Sequence, residues 1–261
     1  MDAWVYNRAA DLELLAKERM RRFPRDPDIL VCALRSTIQI ALRMFLRTYN
    51  RFEVVGRENL PAGESFIMVC NHSSHFDALC LLSSLPLRRV HHAFPAAAAD
   101  YFFSSLLRTV LSVVVVNGLP FDRKHHGDAS LDVCRELLSG PNNVLIMFPE
   151  GTRSCSGALG RFRSGVARLV AGTRTPVVPC HLSGAYEAWP KGRAVPRPGR
   201  LRLYIGRPRV FLDVSPIELE AMAAISARLR DDVAALAPAA RGEALSSHRG
   251  GRGASLAPGA S

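Results

Sequence analysis

Three features of the 261-residue chain predict an α/β fold with a mainly parallel sheet flanked by helices. Short apolar runs at 66–70, 113–116 and 144–148 lack polar–apolar alternation, which fits strands covered on both faces. Segments of helical character separate these runs, so strand and helix alternate along the chain. Polar clusters close two of the runs, at 71–77 and 149–154, and open α/β sheets gather their sites beyond the carboxyl ends of strands. The length suffices for a sizeable core and points to one principal domain.

The elements follow in order. Residues 8–21 read as a polar amphipathic helix ended near 24–27, where Asp26 and Pro27 can start the next one. That next helix, 28–49, carries Ile29, Leu30, Leu34, Ile38, Ile40, Met44 and Phe45. The charges after Asp28 are all arginine: Arg35, Arg43, Arg47 and then Arg51. Such a helix suits a membrane interface, its apolar side among acyl chains and its guanidinium groups at phosphates. Packing on the sheet with a solvated basic face is the other reading.

Strands are expected at 52–55 and 65–70, then a helix at 74–84 that Pro86 stops. A strand is expected at 88–92, followed by an alanine run at 96–99 and an apolar helix at 101–111. The uncharged Val113–Val116 run has strong strand preference. Residues 118–124 read as a loop, 128–138 as a helix and 144–148 as a buried strand. A helix at 162–170 contains Gly165, and a strand at 177–181 contains Pro179. Residues 190–200 form a basic Pro/Gly loop, 201–205 return to strand, and a helix runs from 216 to about 236. From 237 the chain holds almost nothing to bury and reads as a disordered tail.

Composition narrows the function classes. A net charge of +11 implies an anionic partner: nucleic acid, anionic lipid or a phosphorylated substrate. The six cysteines form no CxxC pair and mostly sit in apolar runs, so buried thiols in a reduced compartment are expected, with neither a disulfide framework nor a zinc site. The N-terminus lacks the order of a basic segment followed by an apolar core, so no signal peptide is expected. No uninterrupted apolar stretch reaches about 18 residues, which argues against a simple bilayer-spanning helix.

His72 and Asp77 carry the first chemical signal. Five positions turn a helix by about 140°, so the two do not share a face of one continuous helix. They meet only if His72 lies in the loop and Asp77 points back from the first turns of the helix. The carboxylate then fixes the imidazole tautomer and leaves the other nitrogen as a base. No GxSxG elbow supplies a nucleophile, and neither Ser73 nor Ser74 can be assigned as one, so such a base would act on a substrate hydroxyl. Two capping residues with no catalytic role are the alternative. His75 invites a metal site with His72 and Asp77, but no further ligand cluster accompanies it, so no metal is expected. The pairs His91-His92 and His125-His126 diverge and read as incidental.

Four segments together resemble the glycerolipid acyltransferase family that includes 1-acyl-glycerol-3-phosphate acyltransferases. They are Asn71-His72-Ser73-Ser74-His75-Phe76-Asp77, Gly118-Leu119-Pro120-Phe121-Asp122-Arg123, Phe148-Pro149-Glu150-Gly151-Thr152-Arg153-Ser154 and Val178-Pro179-Cys180. They stand in the family's order and approximate spacing. Pro120 departs from the apolar residue more usual before the aromatic, and Cys180 replaces an aliphatic residue.

The resemblance implies a glycerolphosphate-acyltransferase-like fold and an O-acyltransferase that uses acyl-CoA or acyl-carrier protein (acyl-ACP) as co-substrate, with no other cofactor. It implies His72 as general base, Asp77 as its orienter, and Arg123, Gly151 and Arg153 around the acceptor's phosphate. Thr152 adds a hydroxyl donor, and Glu150 fixes Arg153 or takes hydrogen bonds from a glycerol hydroxyl. Backbone amides at the start of the helix after His72 are expected to stabilise the oxyanion. The expected acceptor is 1-acyl-glycerol-3-phosphate. Glycerol 3-phosphate, another lysophospholipid or a lyso-aminolipid remain within the class, and a non-catalytic basic lipid- or nucleic-acid-binding protein lies outside it. Aromatic residues are only 7%, and the interpretable arginines cluster beside the histidine–aspartate pair, which disfavours nucleic acid. The expected organisation is a helical, membrane-interfacial segment at 1–50, a catalytic domain at 51–236 and a tail at 237–261. The expected place is the cytoplasmic face of an anionic membrane, peripheral or monotopic.

Overall fold

A computed structural model describes residues 29–98, 119–121 and 127–238 of the chain. The expected helices at 8–21 and 101–111, the valine strand, Arg123 and nearly all of the C-terminal tail lie outside the described residues. The elements are α1 (Ile29–Tyr49), β1 (Glu53–Val55), β2 (Phe66–Cys70), α2 (Phe76–Ser84), α3 (Leu87–Val90), β3 (Ala93–Ala98) and β4 (Leu119–Phe121). They continue with α4 (Gly127–Ser139), β5 (Val144–Met147), α5 (Gly165–Val170), β6 (Val177–Ser183), α6 (Ala185–Ala188), β7 (Arg202–Ile205) and α7 (Leu219–Ala235).

Among the described residues, seven strands form one sheet in the order β1-β7-β6-β2-β5-β3-β4. The block from β6 to β4 is parallel throughout. At its other edge β7 joins β6 antiparallel and pairs β1 parallel. The predicted α/β class with a mainly parallel, helix-flanked sheet is the observed one.

β2 lies at the centre, and every residue in it is buried. Its side chains alternate between two cores. Phe66, Met68 and Cys70 pack with Leu81 and Leu82 of α2 and with Leu203 and Ile205 of β7. Ile67 and Val69 pack with Leu131 of α4, Val166 and Leu169 of α5 and Leu229 of α7. Two-sided burial is why this run carries no polar position. The ends of β2 and β5 point the same way, so the segments that follow them emerge side by side.

Two expected elements need correction. Residues 88–92 are not a strand. Pro86 opens a single helical turn, with Arg89 N donating to Pro86 O, and the Arg89 guanidinium reaches Glu64 O and Asn142 Oδ1. The strand begins at Ala93 and takes in the start of the alanine run. Residues 119–121 pair with β3 and are not a loop; Pro120 is tolerated because β4 closes the edge of the described sheet.

α1 also departs from the expected distribution of its arginines. Arg35 is 2% exposed and Gln39 is fully buried, while Arg43 donates to Leu85 O. Ile29 at 79%, Leu30, Leu34, Ile40 and Met44 face outward instead. By length and composition α1 could cross a membrane, although no uninterrupted apolar run suggests it.

Candidate active site

The site is built where β2 and β5 end. Asn71, the first residue beyond β2, ties this end to β6: its side-chain amide donates to Leu182 O at 3.0 Å and accepts from Leu182 N at 2.8 Å. His72 follows in the loop before α2, and its main chain is held on both sides. Its N–H donates to Glu150 Oε1 at 2.7 Å, and its carbonyl accepts from Ser154 N at 2.8 Å. Both partners belong to the segment after β5, so parallel pairing of β2 with β5 brings the two polar clusters into one site.

Asp77 sits in the first turn of α2 and points back to the loop. Its Oδ2 lies 2.7 Å from His72 Nδ1 and accepts the amides of Ser73 and Ser74 at 2.7 and 2.8 Å. One carboxylate oxygen therefore both caps the loop and orients the ring, which joins the two roles the sequence left open. Asp77 is fully buried, whereas the His72 side chain is 19% exposed. One face of the imidazole is covered by Phe148, whose ring stacks on it at 4.2 Å with an interplanar angle of 18°. With Nδ1 facing the carboxylate, Nε2 is the nitrogen left for chemistry.

The amides expected to stabilise an oxyanion are already engaged. Those of Ser73 and Ser74 go to Asp77, that of His75 to Trp189 O at 3.2 Å, and that of Phe76 to Ser74 Oγ at 3.1 Å. The start of α2 rigidifies the histidine and presents no free donor among these four.

Glu150 is buried, and its second oxygen accepts Gly160 N at 2.9 Å. Both oxygens thus bind main-chain amides, and neither is engaged with Arg153 as expected. Burial pushes the carboxyl pKa up, and the two N–H donors partly offset this. Gly160 is required at this turn, since a Cβ there would stand 2.8 Å from Glu150 Oε2. Gly151 has φ of 74°, and a Cβ on it would lie 2.7 Å from Arg163 Nε. Its role here is to let the Arg163 side chain pass close to the backbone.

Thr152 is exposed at the rim, and Arg153 is half-buried beside α2. Arg153 Nη1 lies 2.9 Å from both ring nitrogens of His75, and the His75 ring packs on Trp189 at 4.9 Å. Burial first, and the Arg153 charge second, lower the His75 pKa and favour the neutral imidazole. The structure therefore gathers His72, Asp77, Glu150, Gly151, Thr152 and Arg153 at one end of the sheet; Arg123 lies outside the described residues. Phe148, Trp189 and Arg163 were not singled out as site residues in the sequence. Only Phe148 left a trace there, as the aromatic that opens the third segment. Among the described residues no group of His, Cys, Asp and Glu gathers to hold a metal ion.

Comparison with known proteins matches residues 51–183 to the family model described as Acyltransferase. The chain is 26% identical over 168 residues to the 1-acyl-sn-glycerol-3-phosphate acyltransferase of Bacillus subtilis, covering 64% of this chain and 78% of that one. It is 28% identical over 177 residues to the alpha form from Mus musculus, covering 66% and 60%. Among solved structures, the 1-acyl-sn-glycerophosphate (LPA) acyltransferase PlsC from Thermotoga maritima superposes with a TM-score of 0.59 at 24% identity, covering 84% of this chain and 81% of that one. That likeness supports the fold. The chain spans about three-fifths of the length of the mammalian relatives it matches.

Proposed function

The chain belongs to the acyltransferase family, and from that premise we propose that it moves a fatty acyl group from acyl-CoA or acyl-ACP to the free hydroxyl of 1-acyl-glycerol-3-phosphate. The observation that carries this reading is the 2.7 Å contact between His72 Nδ1 and Asp77 Oδ2 in a ring pinned by Phe148 and by its own backbone. In the proposed step, His72 Nε2 takes the acceptor's hydroxyl proton as the oxygen attacks the thioester carbonyl carbon. Collapse of the tetrahedral intermediate breaks the C–S bond, and the imidazolium returns the proton to the departing thiolate. Asp77 holds the Nδ1 side of the ring and stabilises the imidazolium that forms. No protein nucleophile enters the step.

Arg153 is the described guanidinium for the acceptor's phosphate, with Arg123 its proposed companion and Thr152 at the rim. The names of the relatives supply the acceptor, and the basic charge of the chain agrees with a phosphorylated lipid. Glycerol 3-phosphate, another lysophospholipid or a lyso-aminolipid would use the same base.

We place the protein at a membrane surface through α1. Polar Arg35 and Gln39 face inward and Ile29, Leu30, Leu34, Ile40 and Met44 outward, a distribution that lipid favours and water does not. Six free thiols agree with the cytoplasmic face. The deciding experiment for the substrate is acyl transfer by the purified protein from labelled acyl-CoA or acyl-ACP to a panel of these acceptors. Lysophosphatidate should be the best acceptor, and transfer to none of them would refute the reading.

A further inference from the structure

Building on that two-substrate reading, we propose that the cleft between α7 and the 150–163 loop binds the acyl donor by the phosphate of its phosphopantetheine arm, a group that acyl-CoA and acyl-ACP share. The cleft has a volume of about 820 Å³ and is lined by Glu150, Arg161, Arg163, Leu219, Met222 and Arg230, among others. That volume is in the range of small-ligand sites. Arg161 and Arg163 are exposed, and neither has a carboxylate within ion-pair distance among the described residues. Arg230 reaches across to Gly160 O at 3.2 Å, with Asp231 at 3.5 Å. Glu150 is the single acidic residue of the lining, and both of its oxygens are turned to backbone amides. The remaining wall, from α7, is largely apolar. Guanidinium groups over an apolar wall suit a phosphate carried on a slender arm with its own apolar segment.

The cleft shares lining residues with the surroundings of His72. Glu150 lines it and holds the His72 amide at 2.7 Å. Arg163 is shared with a smaller cavity of about 180 Å³ whose wall includes Phe148, the ring that stacks on His72. A donor phosphate on Arg161 and Arg163 would therefore have its arm directed past Phe148 toward the histidine. Arg153 does not line the cleft; it packs on His75 and Trp189. Transfer between two phosphate-bearing substrates needs two anion sites around one base, and these two arginine groups supply them.

The test uses the full chain and initial rates with each substrate varied. Arg161→Ala with Arg163→Ala removes the donors, and Ala227→Glu adds a carboxylate at an exposed position of the cleft wall without removing packing. Both variants should raise the donor KM about tenfold or more, with acyl-CoA and with acyl-ACP, while the acceptor KM and kcat stay within about twofold. An unchanged donor KM overturns the proposal, and so does an acceptor KM that rises in step. A rise with acyl-CoA alone overturns the shared-arm assignment in favour of the nucleotide phosphates. Calorimetric titration with CoA reads the site without turnover. Wild-type binding weakened about tenfold in the variants supports the cleft even if no acceptor is acylated, a result that would count against the function reading alone. No CoA binding by the wild type overturns the cleft.

Discussion

Asp77 Oδ2 accepts the backbone amides of Ser73 and Ser74 while lying 2.7 Å from His72 Nδ1. The loop that carries the histidine is thereby folded around the carboxylate that orients it. In Asp77→Asn the side-chain oxygen stays toward Ser73 N, Ser74 N and His72 Nδ1, because an NH₂ there would oppose those donors, and the NH₂ takes the buried Oδ1 position, which has no partner among the described residues. The ring keeps its orientation, but the negative charge that stabilises the imidazolium is lost. We expect kcat to fall about 10²- to 10⁴-fold with the acceptor KM little changed and the circular dichroism spectrum retained. Steady-state kinetics check this.

Glu150 fixes the other side of His72. In Glu150→Gln a single carbonyl oxygen faces two amides, His72 N and Gly160 N, and the new NH₂ opposes one of them. Leaving that buried donor unpaired costs about 1–3 kcal/mol, visible as a lower thermal midpoint. If Glu150 positions the base, kcat falls more than the acceptor KM rises. The carboxyl pKa is raised in the fold, so the folded protein holds more protons than the unfolded chain just above about pH 4.5, the ordinary range of the group. Stability from this group is full below that range and is lost as pH rises through the raised value.

His75 makes the site acid-sensitive. Its pKa is lowered by burial and by Arg153, so the stability it contributes is present above the ordinary histidine value of about 6.5 and is lost as pH falls through the lowered one. Protonation places a second cation against Arg153, with Asp77 and His72 also near, and displaces the guanidinium. The acceptor KM should rise as pH falls through the lowered His75 pKa. His75→Gln, which cannot take that proton, should flatten this limb while leaving KM near the wild-type value at pH 8. A parallel rise in both proteins would contradict the assignment.

The proposed membrane attachment rests on the outer face of α1. Leu30→Asn with Leu34→Asn removes two exposed apolar side chains without touching Arg35 or Gln39. Vesicle co-sedimentation should weaken by at least about tenfold, since burying each leucine contributes about 1.5–3 kcal/mol. No binding of the wild type to anionic or neutral vesicles would defeat the membrane reading.

Much of this arrangement was legible in the sequence, for reasons the structure makes plain. β2 and β5 announced themselves because strands buried on both faces exclude polar residues along their length. The position of Asp77 followed from the turn geometry of a helix start. β4 was hidden because Pro120 is a poor strand residue that only an edge accepts. The turn at Leu87–Val90 was hidden because its arginines find carbonyl and amide partners far along the chain. The use of Glu150 could not be read at all. Its partners are backbone amides, 78 residues away at His72, and an amide has no letter in the sequence.

The most direct test compares wild type with His72→Ala in transfer of a labelled acyl group from acyl-CoA to lysophosphatidate. Deleting the imidazole should lower kcat about 10²- to 10⁴-fold while the protein stays folded and still binds CoA. Transfer at the wild-type rate by the alanine variant would contradict the account.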